Sequence, residues 1–302
     1  MTSAGRFAPS PSGELHVGNL RTAMLAWLFA RSMGRQFLLR VEDLDRARAG
    51  AEAVQLRDLE AVGVTWDGAV VRQTARSALY GAAIERLTKA GLTYECFCTR
   101  REIQDAPSAP HSPQGAYPGT CRNLSTAELE IRRASRPAAI RLRSETAEWT
   151  VEDRLHGSYT GVVDDFVLRR NDGVTAYNLA VVVDDAEQGV DQVVRGDDLL
   201  SSTPRQAYLA SLLGLPIPEY AHVPLVLNRY GARLAKRDGA VTLGELAAVG
   251  LAAGEVRDVI LQSLGLPAGE LGEALGSFDP ARLPRGPWIW NGIQQPTLRK
   301  GA

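Results

Sequence analysis

His16, Gly18 and Asn19 close the run Arg6-Phe-Ala-Pro-Ser-Pro-Ser-Gly-Glu-Leu-His-Val-Gly-Asn19, directly ahead of an apolar stretch with helical spacing. An imidazole there could donate to a phosphate oxygen, and a glycine would let a flat adenine or ribose approach the backbone. A helix opening near Asn19 would offer free N–H groups and a positive dipole end. With a short strand ahead of it, the run reads as a nucleotide pocket at the C-terminal end of that strand. Two charged runs also follow strand candidates: Glu42-Asp-Leu-Asp45 and Arg195-Gly-Asp-Asp198. Arg6, Arg195 and Glu42 brought together would suit a zwitterion with one extra negative charge, because arginine grips carboxylate bidentately and a carboxylate holds an ammonium. In Arg233-Leu-Ala-Lys-Arg237, Lys236 is a candidate for neutralising departing pyrophosphate.

The only three cysteines are Cys96, Cys98 and Cys121. Thiolates two residues apart can face one ion, and a third beyond a proline-rich loop could supply most of a tetrahedral shell. An odd, clustered set favours metal over disulfides. Tyr117 or His111 could be the fourth ligand, and chemistry alone favours the imidazole.

These groups need elements to position them. Up to about residue 90 the chain reads as strand, helix, strand, helix. Residues 22–33 are helical and end at Gly34, residues 37–41 are a buried strand, and residues 51–62 and 75–89 are helices. Residues 105–119 hold four prolines without periodicity and read as loop. Strand-like alternation at 138–143 and 161–169 suggests a smaller inserted domain. Apolar strands are expected at 177–183 and 190–194, then a helix over 203–213 with Pro204 in its first turn, then a helical tail over 243–264. The 302 residues allow a large core and more than one domain. A net charge of −1 leaves any nucleic-acid binding to a local basic face. With no membrane-length apolar run and no cleavable signal, the expected location is cytoplasmic.

Taken together, the runs resemble the class I aminoacyl-tRNA synthetases of the glutamyl/glutaminyl branch. Residues 6–19 are similar to that branch's first signature, with His16 to Asn19 where the HIGH tetrad sits. Arg40-Val-Glu-Asp-Leu-Asp45 resembles its R-[IV]-E-D-x-D stretch. Ala176-Tyr-Asn-Leu-Ala-Val-Val-Val-Asp-Asp185 and Val194-Arg-Gly-Asp-Asp198 resemble its second half, and Arg233 to Arg237 takes the place of the KMSKS loop. About sixty residues follow that loop, too few for the large anticodon-binding region of glutamate-charging members. A core of this kind resembles the glutamyl-Q tRNA(Asp) synthetases, which attach glutamate to the queuosine base of tRNA(Asp).

The resemblance implies an α/β fold: a Rossmann-like class I catalytic core with an inserted zinc-binding α+β subdomain and a short helical C-terminal region. The divisions would be 1–90 and 171–240 for the core, 91–170 for the insert and 241–302 for the tail. It implies glutamate binding by Arg6, Phe7, Ala8, Pro9, Ser10, Glu42, Tyr177 and Arg195. It implies ATP contacts at His16, Gly18, Asn19 and Lys236, with His16 and Lys236 acting on the reacting phosphates. It implies one structural zinc on Cys96, Cys98, Tyr117 and Cys121, which overrules His111, and Mg2+ accompanying ATP. The implied partners are ATP, L-glutamate and queuosine-bearing tRNA(Asp), with no membrane and a monomeric chain. The lysine loop departs from the pattern at Ala235 and Arg237, where serines are usual. Rival activities are a shortened glutamyl-tRNA synthetase acting on a 3′ end, an idle paralogue that binds tRNA or amino acid, and a general nucleotidylyltransferase.

Overall fold

The computed structural model describes residues 3–104, 117–234 and 241–292. The chain opens with β1 (Ala4–Phe7), α1 (Val17–Ser32) and β2 (Gln36–Val41). Twelve of the sixteen residues of α1 are buried, so it is a core helix rather than a surface one. The left-handed Gly34, φ +68°, turns the chain out of α1 and into β2. α2 (Ala51–Ala61), β3 (Val71–Arg72) and α3 (Ser77–Lys89) follow. Next come β4 (Thr93–Cys96), α4 (Arg100–Gln104), α5 (Thr126–Ser135), β5 (Ala139–Leu142), the β6 (Glu148–Asp153) and β7 (Gly157–Val162) hairpin, and β8 (Val167–Arg169). The chain then forms α6 (Tyr177–Glu187), β9 (Val190–Gly196), α7 (Thr203–Leu212) and β10 (Glu219–Val223). It finishes with β11 (Val226–Asn228), α8 (Leu243–Ala248), α9 (Ala253–Ser263), α10 (Leu271–Ala274) and β12 (Trp288–Trp290).

The main sheet runs β3-β2-β1-β9-β10-β6-β7. Every neighbouring pair is parallel except the terminal β6–β7 hairpin. Chain order departs in opposite directions from β1 and β9, which makes the gap between them the topological switch point where such sheets bind ligands. This is the Rossmann-like α/β core expected from the motifs.

Alternation along the strands sorts the side chains into two layers. Phe7, Phe37, Leu39, Val194, Ala221 and Val223 join one core with α1, α8, α9 and α10. Their neighbours Arg6, Arg40, Arg195 and His222 point to the opposite face, where α3, α6 and α7 pack a second core. The pattern that builds the first core therefore sets a polar row on the second face.

Four sequence expectations differ from the structure. Residues 177–183, expected as a strand, form most of α6, in which Leu179 through Asp185 are all buried. Valine disfavours a helix by no more than about 0.7 kcal/mol relative to alanine. Burying each of the three valines contributes roughly 1.5–3 kcal/mol, so packing wins. Residues 161–169 split between β7 and β8, because the chain turns at Asp164 to Phe166. The tail helix breaks into α8 and α9 at Gly250, φ +90°. The stretch read as an insert also divides. β4, β5 and β8 form a separate antiparallel sheet, whereas β6 pairs with β10 and extends the main sheet.

Candidate active site

His16 is the N-cap of α1. Its Nδ1 accepts from the Asn19 amide at 3.2 Å, and the Asn19 side-chain oxygen accepts from the His16 amide at 3.2 Å. This reciprocal cap satisfies two helix-end donors and fixes the ring tautomer. With Nδ1 accepting, the proton sits on Nε2, which becomes a donor. Burial lowers the His16 pKa, so the ring is neutral near pH 7. Gly18 lies against this imidazole: a Cβ there would sit 3.0 Å from His16 Nδ1 and 3.3 Å from Val226. The glycine thus makes room for the histidine itself. Gly18→Ala is expected to push the ring from its capped position and to lower kcat for glutamate activation about tenfold, measured by ATP–pyrophosphate exchange.

On the α6 face of the sheet, Arg6 Nε lies 3.2 Å from Asp185 and Arg40 Nη1 lies 2.8 Å from the same oxygen. Arg40 also reaches Glu42 at 3.5 Å and is fully buried. Burial alone would raise the Asp185 carboxyl, but Arg6 and Arg40 bring it below the usual carboxylate range. Burial likewise acts to lower the Arg40 pKa, and Asp185, Glu42 and Asp184 overcome it and raise the value. For Glu42 the balance falls the other way: burial raises its pKa despite Arg40 and Arg6. Glu42 is therefore a carboxylate with attraction to spare for a further cation.

Arg195 is held differently. Its Nε donates to His222 Nε2 at 3.0 Å and its Nη2 donates to Thr203 Oγ1 at 2.9 Å. The Tyr220 ring lies 5.8 Å away. His222 Nδ1 in turn meets Asp153 Oδ2 at 2.6 Å. Arg195 is 5% exposed, and among the described residues no carboxylate pairs with it within 4 Å. Its buried neighbours are neutral, so its charge is left for a ligand.

These groups share one cavity of about 860 Å³. Its walls include Arg6, Phe7, Ala8, Pro9, Ser10, Glu42, Tyr177 and Arg195, together with His16, Gly18 and Asn19. All the described glutamate and ATP candidates are thus brought to one place, at the switch point between β1 and β9. Burial raises the Tyr177 pKa, so it stays a neutral phenol at the rim whose oxygen can accept as well as donate. Lys236, Ala235 and Arg237 lie outside the described residues, but the flanking Leu234 and Val241 both line the cavity. Val241 also accepts from the Val17 amide at 2.8 Å, tying the far flank of the lysine segment to the start of α1.

Apart from the residues lining this cavity, Cys96 at the end of β4 and the loop residues Cys98 and Cys121 bring their sulfurs within 4.8 Å of one another. Cys98 and Cys121 are 3.5 Å apart, and the Tyr117 hydroxyl lies 3.4 Å from Cys96 Sγ and 3.7 Å from Cys98 Sγ. The edge of a tetrahedron of sulfurs around zinc is about 3.8 Å, from a Zn–S length of about 2.3 Å. The donor set therefore has the size and chemistry of a four-coordinate metal site. The Cys121 amide donates to the Tyr117 oxygen at 2.8 Å, and the Arg141 guanidinium stacks 3.6 Å from the ring centroid. Both fix the phenol over the cysteines. His111 lies outside the described residues.

Sequence reasoning did not single out Asp153, Asp185 or His222 as site residues. Asp185 stood at the end of a quoted motif, where its acidic pair after three valines was the available signal. Asp153 and His222 are lone polar residues 69 positions apart, and only the pairing of β6 with β10 joins them.

Residues 4–265 match the family model for tRNA synthetases class I (E and Q), catalytic domain. A glutamyl-Q tRNA(Asp) synthetase of Nocardia farcinica is 67% identical over 97% of this chain and 96% of its own length. A glutamyl-Q tRNA(Asp) synthetase of Cutibacterium acnes is 54% identical over 88% of this chain and 77% of its own. The crystal structure of a glutamate tRNA ligase from Elizabethkingia meningosepticum, in complex with its amino acid, superposes with a TM-score of 0.81 at 26% identity. That match covers 95% of this chain and 66% of the ligase. Among the described residues no helix is long and apolar enough to cross a membrane. Motifs, fold and likeness agree, and the chain belongs to the class I glutamyl and glutaminyl tRNA synthetases and, within them, to the glutamyl-Q tRNA(Asp) synthetase family.

Proposed function

We propose that this chain activates L-glutamate with ATP and transfers it to the queuosine base of tRNA(Asp). The observation that carries this reading is the buried Arg195, which pairs with no carboxylate among the described residues and faces the same cavity as Arg6, Glu42 and the His16-capped start of α1. The guanidiniums offer bidentate donors to the two carboxylates of glutamate, and Glu42 and Tyr177 suit its ammonium. ATP enters as its magnesium complex, with adenosine beside Gly18 and Asn19 and its phosphates toward the Nε2–H of His16. A glutamate α-carboxylate oxygen then attacks the α-phosphorus in line, and the bond to the departing pyrophosphate breaks. Lys236 supplies positive charge to the leaving group, so the protein contributes positioning and charge neutralisation without a covalent intermediate.

In the second step a hydroxyl of the queuosine cyclopentene ring attacks the adenylate carbonyl and AMP departs. The hydroxyl proton passes to the adenylate phosphate as AMP leaves, so the step calls for no dedicated protein base. We propose further that the chain works in the cytoplasm as a monomer. ATP–pyrophosphate exchange tests the first step. Exchange that depends on glutamate and requires no tRNA is expected, whereas none at saturating glutamate, with ATP still bound, overturns the reading.

The small sheet would be held by zinc on Cys96, Cys98, Cys121 and Tyr117, a structural ion that closes the tetrahedron and takes no part in the reaction. Burial pushes the Cys96 thiol up, but the Tyr117 hydroxyl and the Arg141 guanidinium together bring it below its usual value, whereas burial holds Cys98 up at about 12, so the bound cation would supply the charge that makes Cys98 a thiolate. Cys98→Ser is expected to reduce bound zinc from one per chain to near zero, read by atomic emission, and to lower the melting temperature.

A further inference from the structure

His222 and Asp153 lie outside the roles assigned above, yet both are buried and hydrogen-bonded in line with Arg195. The guanidinium Nε carries a hydrogen and cannot accept. His222 Nε2, 3.0 Å away, must therefore be an acceptor, which places the ring proton on Nδ1, 2.6 Å from Asp153 Oδ2. Asp153 is itself fixed. Its Oδ1 accepts from the Leu155 and His156 amides at 2.9 and 3.0 Å, and its Oδ2 also accepts from the His222 amide at 3.0 Å. Thr203 Oγ1 approaches the same His222 nitrogen at 3.1 Å, while the Tyr220 ring stacks beside the imidazole. Every polar atom of the imidazole is thus engaged, and its orientation is determined from β6, β9, β10 and α7 at once.

We propose that Asp153 and His222 are positioning residues for Arg195, holding its guanidinium through a neutral acceptor so that its full charge meets a glutamate carboxylate. A carboxylate placed directly on Arg195 would orient it equally well but offset its charge, as Asp185 does in part for Arg6 while also serving Arg40. Interposing an imidazole keeps the anchoring carboxylate one ring away. The anchor comes from the β6–β7 hairpin, which gives that extension of the main sheet a task in the site. This inference rests on Arg195 binding glutamate, as the proposed function has it.

Asp153→Asn is the first test. Its amide keeps the shape but can turn a donor toward His222 Nδ1, driving the ring to the Nε2–H tautomer, in which two donors face each other at Arg195. The KM for glutamate in pyrophosphate exchange is expected to rise about tenfold while the KM for ATP stays within about twofold. In the wild-type protein, nitrogen-15 spectra of labelled histidine should show His222 protonated at Nδ1 and accepting at Nε2. His222→Ala should match Asp153→Asn, and His222→Gln, whose side-chain oxygen can still accept from Arg195, should recover most of the loss. An unchanged glutamate KM in Asp153→Asn, an equal rise for ATP, a wild-type Nε2–H tautomer, or identical Gln and Ala variants would each overturn the proposal. Arg195→Ala separates the two levels. If it leaves the glutamate KM unaltered, the glutamate site itself is wrong, whereas if it raises that KM and the Asp153 and His222 variants do not, only the positioning role fails.

Discussion

Asp185→Ala is expected to lower the free energy of unfolding by about 3–5 kcal/mol, because it strips one carboxylate from two buried guanidiniums. Arg6 and Arg40 both reach Asp185 Oδ1, and Arg40 has no exposure to water. Arg40 retains Glu42 and Asp184 as partners, but among the described residues Arg6 keeps only a 3.4 Å bond to the Val194 carbonyl. Urea unfolding of the two proteins at pH 7 measures the difference, and a loss below about 1 kcal/mol would contradict a central electrostatic role for Asp185. The sign with pH follows from its depressed pKa. Asp185 contributes fully above the ordinary carboxylate value of about 3.9, and its contribution fades as pH falls through the lower folded-state value. The gap between wild type and variant should therefore be widest near neutrality and narrow in acid.

Glu42→Gln is expected to raise the KM for glutamate roughly 10- to 100-fold, the equivalent of about 1.5–3 kcal/mol for a hydrogen bond to a charged group. The KM for ATP should change little, because Glu42 belongs to the amino-acid side of the cavity. Stability should not fall with it. Burial raises the Glu42 pKa, so folding favours the protonated carboxyl, and that favourable contribution is present below the unfolded value and lost as pH rises through the folded one. At pH 7 the neutral amide should thus be tolerated at least as well as the carboxylate. Binding has the opposite dependence. An ammonium needs the charged form, so wild-type affinity should decline as pH falls through the raised Glu42 pKa, and the glutamine variant should lack that limb. Steady-state exchange kinetics followed downward from neutral pH would show it, and a variant with the same pH profile and the same KM would contradict the assignment.

Much of the frame was legible because it is local. The strand before residue 8, the helix after His16 and the strand ending at Val41 all carry periodicity, and Gly34 punctuates them. The runs at 42–45 and 195–198 read as strand-end groups for the same reason, and the structure brings Arg6, Glu42 and Arg195 to one cavity. What sequence missed was non-local. The valines of α6 carry strand propensity, and only the enclosed position against α3 and α7 turns them helical. Nothing within residues 148–162 marks the hairpin as part of the main sheet, since its partner β10 lies some seventy residues on. Asp153 and His222 inherit that difficulty, because their relation exists only once β6 lies beside β10. Gly18 was read as space for a nucleotide, and the structure adds the nearer constraint of the His16 ring.

The central claim is most directly tested by incubating the protein with labelled glutamate, ATP and three acceptors: tRNA(Asp) with queuosine, the same tRNA without it, and tRNA(Glu). Stable label on the queuosine-bearing tRNA(Asp) alone is the expected result. Label on all three, or on tRNA(Glu) only, would contradict it.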